Sequence, residues 1–318
     1  MKPVIAALAG AALLAAGVPG NGAEPPAWAY AVNPPGLQPA PDDGTLRHVP
    51  GSVAGFTVTQ LRDLFNVPDW YPDDHPPMPD PVAHGRKPGV FACGFCHLPN
   101  GLGRPENASL AGLPAEYIAQ QVANFRNGSR KSSVPSLPPT LMIATANGVS
   151  EAELTAAATY FSSLKLLPWI RVVEAATVPK TRVLGFMLVP DGSGDSEPIG
   201  NRVIEMPEDV PRTELRDSRS AFVAYAPPGS LTRGEALVTT GGSGKTVPCG
   251  ICHGADLKGL GPVPALAGRS PSYLFRQLYD IRYGTRVGSW TALMQPVVAK
   301  LSEEDMVAIV AYTASRRP

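Results

Sequence analysis

The sequence predicts a mainly α protein in which two all-α domains stand in tandem with a small β-rich insert between them. Three observations carry this expectation. One plan of residues occurs twice, and a repeated plan marks a repeated structural unit. Within each copy, apolar residues recur at three- and four-residue spacings, the period of an amphipathic helix. Between the copies, short runs rich in β-branched and aromatic residues are bounded by Gly, Pro and Asp, the pattern of strands and turns.

Taken in chain order, residues 1–23 read as an export signal. Lys2 is followed by an apolar run from Val4 to Val18 that is too short to span a bilayer comfortably, then by small residues up to Ala23. The mature chain is therefore expected in the periplasm, touching a membrane only through partners. Residues 24–78 form a Pro-rich arm with one helical patch near Val58–Phe65, expected to wrap the first domain.

The first domain is placed at 79–169. Its stretch before Cys93 is broken by prolines and makes a poor helix. Pro114–Arg126 carries Ile118, Val122 and Phe125 on one stripe, with Gly128 after its end. Ser150–Leu164 opens with Ser150 and Glu153 as a capping box. The β-rich insert is placed at 170–229, with strand runs Val183–Val189, Arg202–Met206 and Ala221–Tyr225. The second domain is placed at 230–318. A helix over Thr232–Thr240 leads it, Leu274, Leu278 and Ile281 stripe the next, and Ser302 with Asp305 caps the last.

Lys plus Arg and Asp plus Glu balance at 27 each, which excludes nucleic acid as a main partner on electrostatic grounds. The 36 prolines and 32 glycines indicate short elements joined by ordered loops. The 4 cysteines fall in two pairs at the head of the repeated plan: Cys93-Gly94-Phe95-Cys96-His97 and Cys249-Gly250-Ile251-Cys252-His253. Downstream, Tyr117 matches Tyr273, Gln121 matches Gln277, Arg126 and Arg130 match Arg282 and Arg286, and Leu141-Met142 matches Leu293-Met294.

Cys-x-x-Cys-His is the attachment signature of c-type haem. The two thiols form thioethers to the porphyrin vinyl groups, and the adjacent His is placed beneath the iron. Two copies imply two covalently bound haem c groups, with His97 and His253 as proximal iron ligands. The alternatives are weaker. A thiol redox pair calls for a βαβ context, a zinc site needs a fourth ligand, and a disulfide across so short a span has no use for the His. Met142 and Met294 occupy matching positions, read as the loop before each last helix, and are the expected second axial ligands. His/Met ligation leaves no open iron position. His48, His75 and His84 are formal substitutes for Met142, but read as loop residues beside prolines. Met78, Met187, Met206 and Met306 read as packing residues. The recurring Arg126, Arg130, Arg282 and Arg286 are candidates for haem propionate donors or, equally, cations at helix ends. Trp290 is placed to line the second haem pocket.

Over residues 79–166 and 230–316 the chain resembles the class I cytochrome c family, and in particular tandem di-haem cytochromes. The resemblance implies a last helix crossing the first and one exposed haem edge. It also implies a proximal His steadied by the carbonyl of a Pro, which Pro264 in Pro264-Ala265-Leu266-Ala267-Gly268 supplies. Ala108 stands at that position in the first repeat, so looser support is expected there. The reading that follows is an electron carrier with no catalytic residues. It links a donor dehydrogenase or quinol-oxidising complex to an acceptor such as a terminal oxidase. The alternatives are a peroxidase-like or sulfur-compound-oxidising haem enzyme with one open haem, and a cytochrome subunit of a periplasmic dehydrogenase.

Overall fold

The computed structural model describes residues 24–37 and 41–318. The expected export signal over 1–23 lies outside the described residues. The helices preceding the strands are α1 (Val58–Leu61), α2 (Asp80–Ala83), α3 (Cys93–His97), α4 (Ala115–Arg126), α5 (Leu137–Gly148) and α6 (Glu151–Ser163). The strands are β1 (Ile170–Glu174), β2 (Thr177–Pro179), β3 (Thr181–Leu184), β4 (Met187–Pro190), β5 (Ser196–Pro198), β6 (Ile204–Pro207) and β7 (Phe222–Ala226), with α7 (Val210–Glu214) before the last. Then come α8 (Ser230–Thr240), α9 (Gly250–His253), α10 (Pro271–Arg282), α11 (Gln295–Val298) and α12 (Glu303–Ser315).

Local chemistry explains the helix ends. Both capping boxes form: Ser150 accepts from the Glu153 N–H, Ser302 accepts from the Asp305 N–H, and each carboxylate reaches back to its cap backbone. The first repeat buries Ile118, Tyr160, Phe161 and Trp169 in one cluster, and the second buries Phe275, Tyr279, Leu301 and Met306 in another. Helix α12 is almost entirely buried and crosses α8 closely. Gly234 permits this, because a Cβ there would run into the Ala308 carbonyl and Tyr312 Cβ. The first repeat has only the single turn α2 in place of α8, as its prolines predict.

Four expectations need correction. The arm does not simply wrap the first repeat. Residues 24–37 lie on the second, where Trp28 packs on Phe275 at 4.5 Å and Tyr30 meets Tyr279 edge-on at 5.9 Å. Apolar rings follow the nearest unfilled core, and the second repeat offers α10. The run Val183–Val189 is not one strand. Gly185 and Phe186 take φ of 59° and 64° and fold it into the β3–β4 hairpin, since paired positive φ matches a two-residue turn to strand twist. Met142 is not in a loop but inside α5. Pro138 and Pro139 resemble helix breakers in sequence, yet they lie in the opening turn, where a missing N–H costs nothing. Finally, the segment 170–229 is not simply an insert between the domains. β7 lies between β1, parallel, and β6, antiparallel, and Ile170, Val172 and Ala224 join the core built around α12.

Candidate haem-binding cavity

One continuous cavity of about 410 Å³ is lined by Cys93, Cys96, His97 and Met142 of the first repeat and by Cys249, Cys252, His253 and Met294 of the second. All eight residues singled out from sequence therefore face the same space. His48, His75 and His84 do not line it. Their ring nitrogens bond to the Ala54 carbonyl, to Asp69 and the Pro76 carbonyl, and to Asn66. Met78 packs against the first core, and Met187, Met206 and Met306 are buried in cores.

Cys93, Cys96 and His97 lie within α3, while Cys249 is the N-cap of α9, which carries Cys252 and His253. His97 Nδ1 lies 2.8 Å from the Ala108 carbonyl, and His253 Nδ1 lies 2.7 Å from the Pro264 carbonyl. The expected looser support at Ala108 is thus not found: the acceptor is a backbone oxygen, which Ala presents as well as Pro. With Nδ1 so engaged, Nε2 is left for a metal. Burial, only partly offset by these carbonyl hydrogen bonds, lowers both imidazoles from their ordinary range and so favours the neutral form, the form that ligates iron. Burial also pushes the Cys93 thiol up to about 12 and the Cys249 thiol up to about 11. Such thiols are poor nucleophiles and ill suited to disulfide exchange.

The cavity wall is mostly apolar, with Leu110, Ile118, Val122, Phe161, Leu274 and Ile309 among its residues. Its polar exception lies where the repeats meet. Arg130 donates to Gln121 of its own repeat at 3.0 Å and across the junction to Tyr273 at 2.7 Å and Gln277 at 3.0 Å. Arg286 mirrors this, donating to Gln277 at 3.0 Å and across to Tyr117 at 3.1 Å and Gln121 at 3.0 Å. Backbone bonds from Lys131 to the Thr285 carbonyl and from Val287 to the Ser129 carbonyl complete the pairing. Among the described residues neither arginine forms an ion pair, and the buried Arg286 Nε has no partner. Two cations satisfied only by neutral groups, in the wall of an apolar cavity, fit a ligand that is apolar across its plane and anionic at its edge. A haem with its propionates has that make-up.

Arg126 has another job. It ties α4 to the end of α5 through the Ala146 and Val149 carbonyls and pairs with Glu151. Arg282 stacks over Tyr283. Trp290 lines the cavity and is 45% exposed. Sequence reasoning missed Tyr30, Asp280 and Glu106 as cavity residues. Only the placement of the arm and the unrepeated Glu106 position bring them there.

No family model matches the chain. A thiosulfate dehydrogenase electron acceptor of Thiomonas intermedia (strain K12) is 27% identical over 233 residues, covering 72% of this chain and 80% of that protein. Cytochrome c-554(548) of Halomonas halodenitrificans is 42% identical over 76 residues, 24% of this chain and 92% of that protein. Cytochrome c4 of Stutzerimonas stutzeri is 33% identical over 135 residues, 37% of this chain and 63% of that protein.

Proposed function

We propose that this chain, which belongs to the di-haem class I cytochromes c, accepts electrons from an exported dehydrogenase and passes them on through two His/Met-ligated haems. It is an electron-transfer cytochrome, built of mainly α cytochrome c domains, and it carries two covalently bound haem c groups. The cavity supports the following residue roles. Cys93 and Cys96 anchor the first haem and Cys249 and Cys252 the second. His97 with Met142, and His253 with Met294, close the two iron positions. The observation that carries the reading is that all eight face one cavity.

The haem supplies a one-electron couple, and the chain supplies everything that shapes it. The Ala108 and Pro264 carbonyls fix the imidazoles. The apolar wall keeps water from the iron and so limits reorganisation on electron transfer. Arg130 and Arg286 would be placed to counter propionate charge. A dehydrogenase as donor is favoured by the 72% of the chain that aligns with a thiosulfate dehydrogenase electron acceptor, and a periplasmic site by the apolar stretch at Val4–Val18.

The test is the visible spectrum of dithionite-reduced holoprotein before and after carbon monoxide. An unchanged spectrum in the wild type, with one haem responding in Met142→Ala and the other in Met294→Ala, is expected. A carbon monoxide response in the wild type refutes closed His/Met sites and redirects attention to a substrate at the responding haem.

A further inference from the structure

The two repeats differ at the outer face of the Cys-x-x-Cys-His turn. In the first repeat that face is covered by the chain itself. The segment α7 and its exit, residues 210–217, lies against it. Arg216 stacks its guanidinium 3.6 Å from the Phe95 ring centre and donates to the Phe95 carbonyl at 2.8 Å, one residue from Cys96. Arg104 donates to the Thr213 carbonyl at 3.2 Å and pairs with Glu106. The side chains of Arg104 and Glu106 are only 9% and 6% exposed, and Glu106 Oε2 is buried without a partner. Glu106 lines the haem cavity beside Cys96 and His97.

In the second repeat the matching positions are Ile251, Leu260 and Pro262, all uncharged, and Ile251 and Leu260 are 65% and 60% exposed. Nothing in the described chain caps them. The cap on the first repeat is held firmly. Trp70, buried, donates its indole N–H to the Leu215 carbonyl at 2.7 Å, and Asp217 pairs with Arg212. Arg216 itself takes a left-handed φ of 57°, a conformation a long side chain adopts only where its surroundings enforce it.

We propose that this cap sets the reduction potential of the first haem through Arg216, Arg104 and Glu106, acting as positioning charges absent from the second repeat. The proposal rests on the assignment of His97 and Cys96 to the first haem. The sign follows from electrostatics. Reduction adds a negative charge, so a nearby cation favours the ferrous state and a nearby carboxylate the ferric state. Both effects are amplified away from water. Arg104 and Glu106 largely cancel one another, which leaves the Arg216 charge in excess. Removing Arg216 lowers the first potential, and removing the Glu106 charge raises it.

The experiment is spectroelectrochemical titration of the purified holoprotein, wild type against Arg216→Met, Arg216→Lys and Glu106→Gln. Arg216→Met is expected to lower one of the two midpoints, changing the reduced-to-oxidised ratio at fixed potential about tenfold, which is 59 mV for one electron. Glu106→Gln is expected to move the same midpoint upward, and Arg216→Lys to restore it near the wild-type value. The other midpoint stays put. The carbon monoxide test on each variant, if unchanged, shows the axial ligands intact, so a missing shift then counts against the cap and not against the ligands. Shifts of the same sign in Arg216→Met and Glu106→Gln, equal shifts in both haems, or a loss that Lys fails to restore would overturn the proposal. If Glu106→Gln does not fold, the Arg216 pair decides alone.

Discussion

Tyr30→Phe removes one oxygen from the seam between the arm and the second repeat. The Tyr30 hydroxyl donates to Asp280 Oδ1 at 2.7 Å, at a site where Asp280 is 4% exposed. Burial, reinforced by the Asp280 charge, raises the phenol far above its ordinary range, so it stays a donor at every accessible pH. A hydrogen bond to a buried charged acceptor is worth about 1.5–3 kcal/mol. Asp280 Oδ1 retains the Ser133 hydroxyl at 2.7 Å and the Ser133 N–H at 3.0 Å, so it is not orphaned and the lower end, about 1.5 kcal/mol, applies. The ring still packs edge-on against Tyr279, so no cavity opens. Guanidinium unfolding of the holoprotein followed by circular dichroism should show this loss. Hydrogen exchange should show faster labelling over residues 24–37 than elsewhere. Ser133→Ala should cost a similar amount, and the double variant more than the sum, because each single loss is buffered by the other donor and both losses leave the buried oxygen only the Ser133 N–H. A Tyr30→Phe midpoint equal to wild type, with unchanged exchange in the arm, would refute the view that this bond fastens the arm.

Further outcomes are open to direct measurement. Gly234→Ala should cost about 1–3 kcal/mol in chemical denaturation, since the added methyl meets the Ala308 backbone and not a yielding side chain. Ser150→Ala should cost about 1 kcal/mol through the lost cap of α6. Burial alone would raise the Asp305 carboxyl, but hydrogen bonds from Lys245, Arg233 and the Ser302 cap outweigh it and hold the group well below the usual range. Its contribution is therefore complete above the unfolded value of about 4 and disappears as pH falls through the lower folded value. Stability measured from pH 5 downward should drop less steeply in Asp305→Asn than in wild type.

The sequence made the local structure legible and left the long-range placement hidden. Helices α4, α10 and α12 announced themselves through stripes, an opening proline and capping boxes, all of which act within a few residues. Cys-x-x-Cys-His was legible because covalent attachment and ligation demand adjacent residues. Helix α5 was hidden by Pro138 and Pro139, which signal a break unless their position in the first turn is known. Arg130 and Arg286 were visible as a recurring pair, but their partners Tyr273 and Tyr117 belong to the opposite repeat, and no periodicity points across a junction. The docking of Trp28 and Tyr30 was equally unreadable, since two rings in a Pro-rich stretch carry no address. Ala108 taught the converse: a change of side chain leaves a hydrogen bond intact when the backbone makes it.

The reciprocal contacts of Arg130 and Arg286 are of the kind made by a two-fold homodimer, in which each residue meets its counterpart's neighbours and the favour is returned. In a true homodimer every substitution appears on both sides, and the halves are held identical. Here the halves are joined in one chain, so each position changes once. Symmetry is kept where the halves must fit together and is broken elsewhere, with Glu106 facing Pro262 and Phe95 facing Ile251 in the matching places. A fused pair can thus specialise its two ends, one sheathed and one bare, while keeping a mating surface that still reads the same from either side.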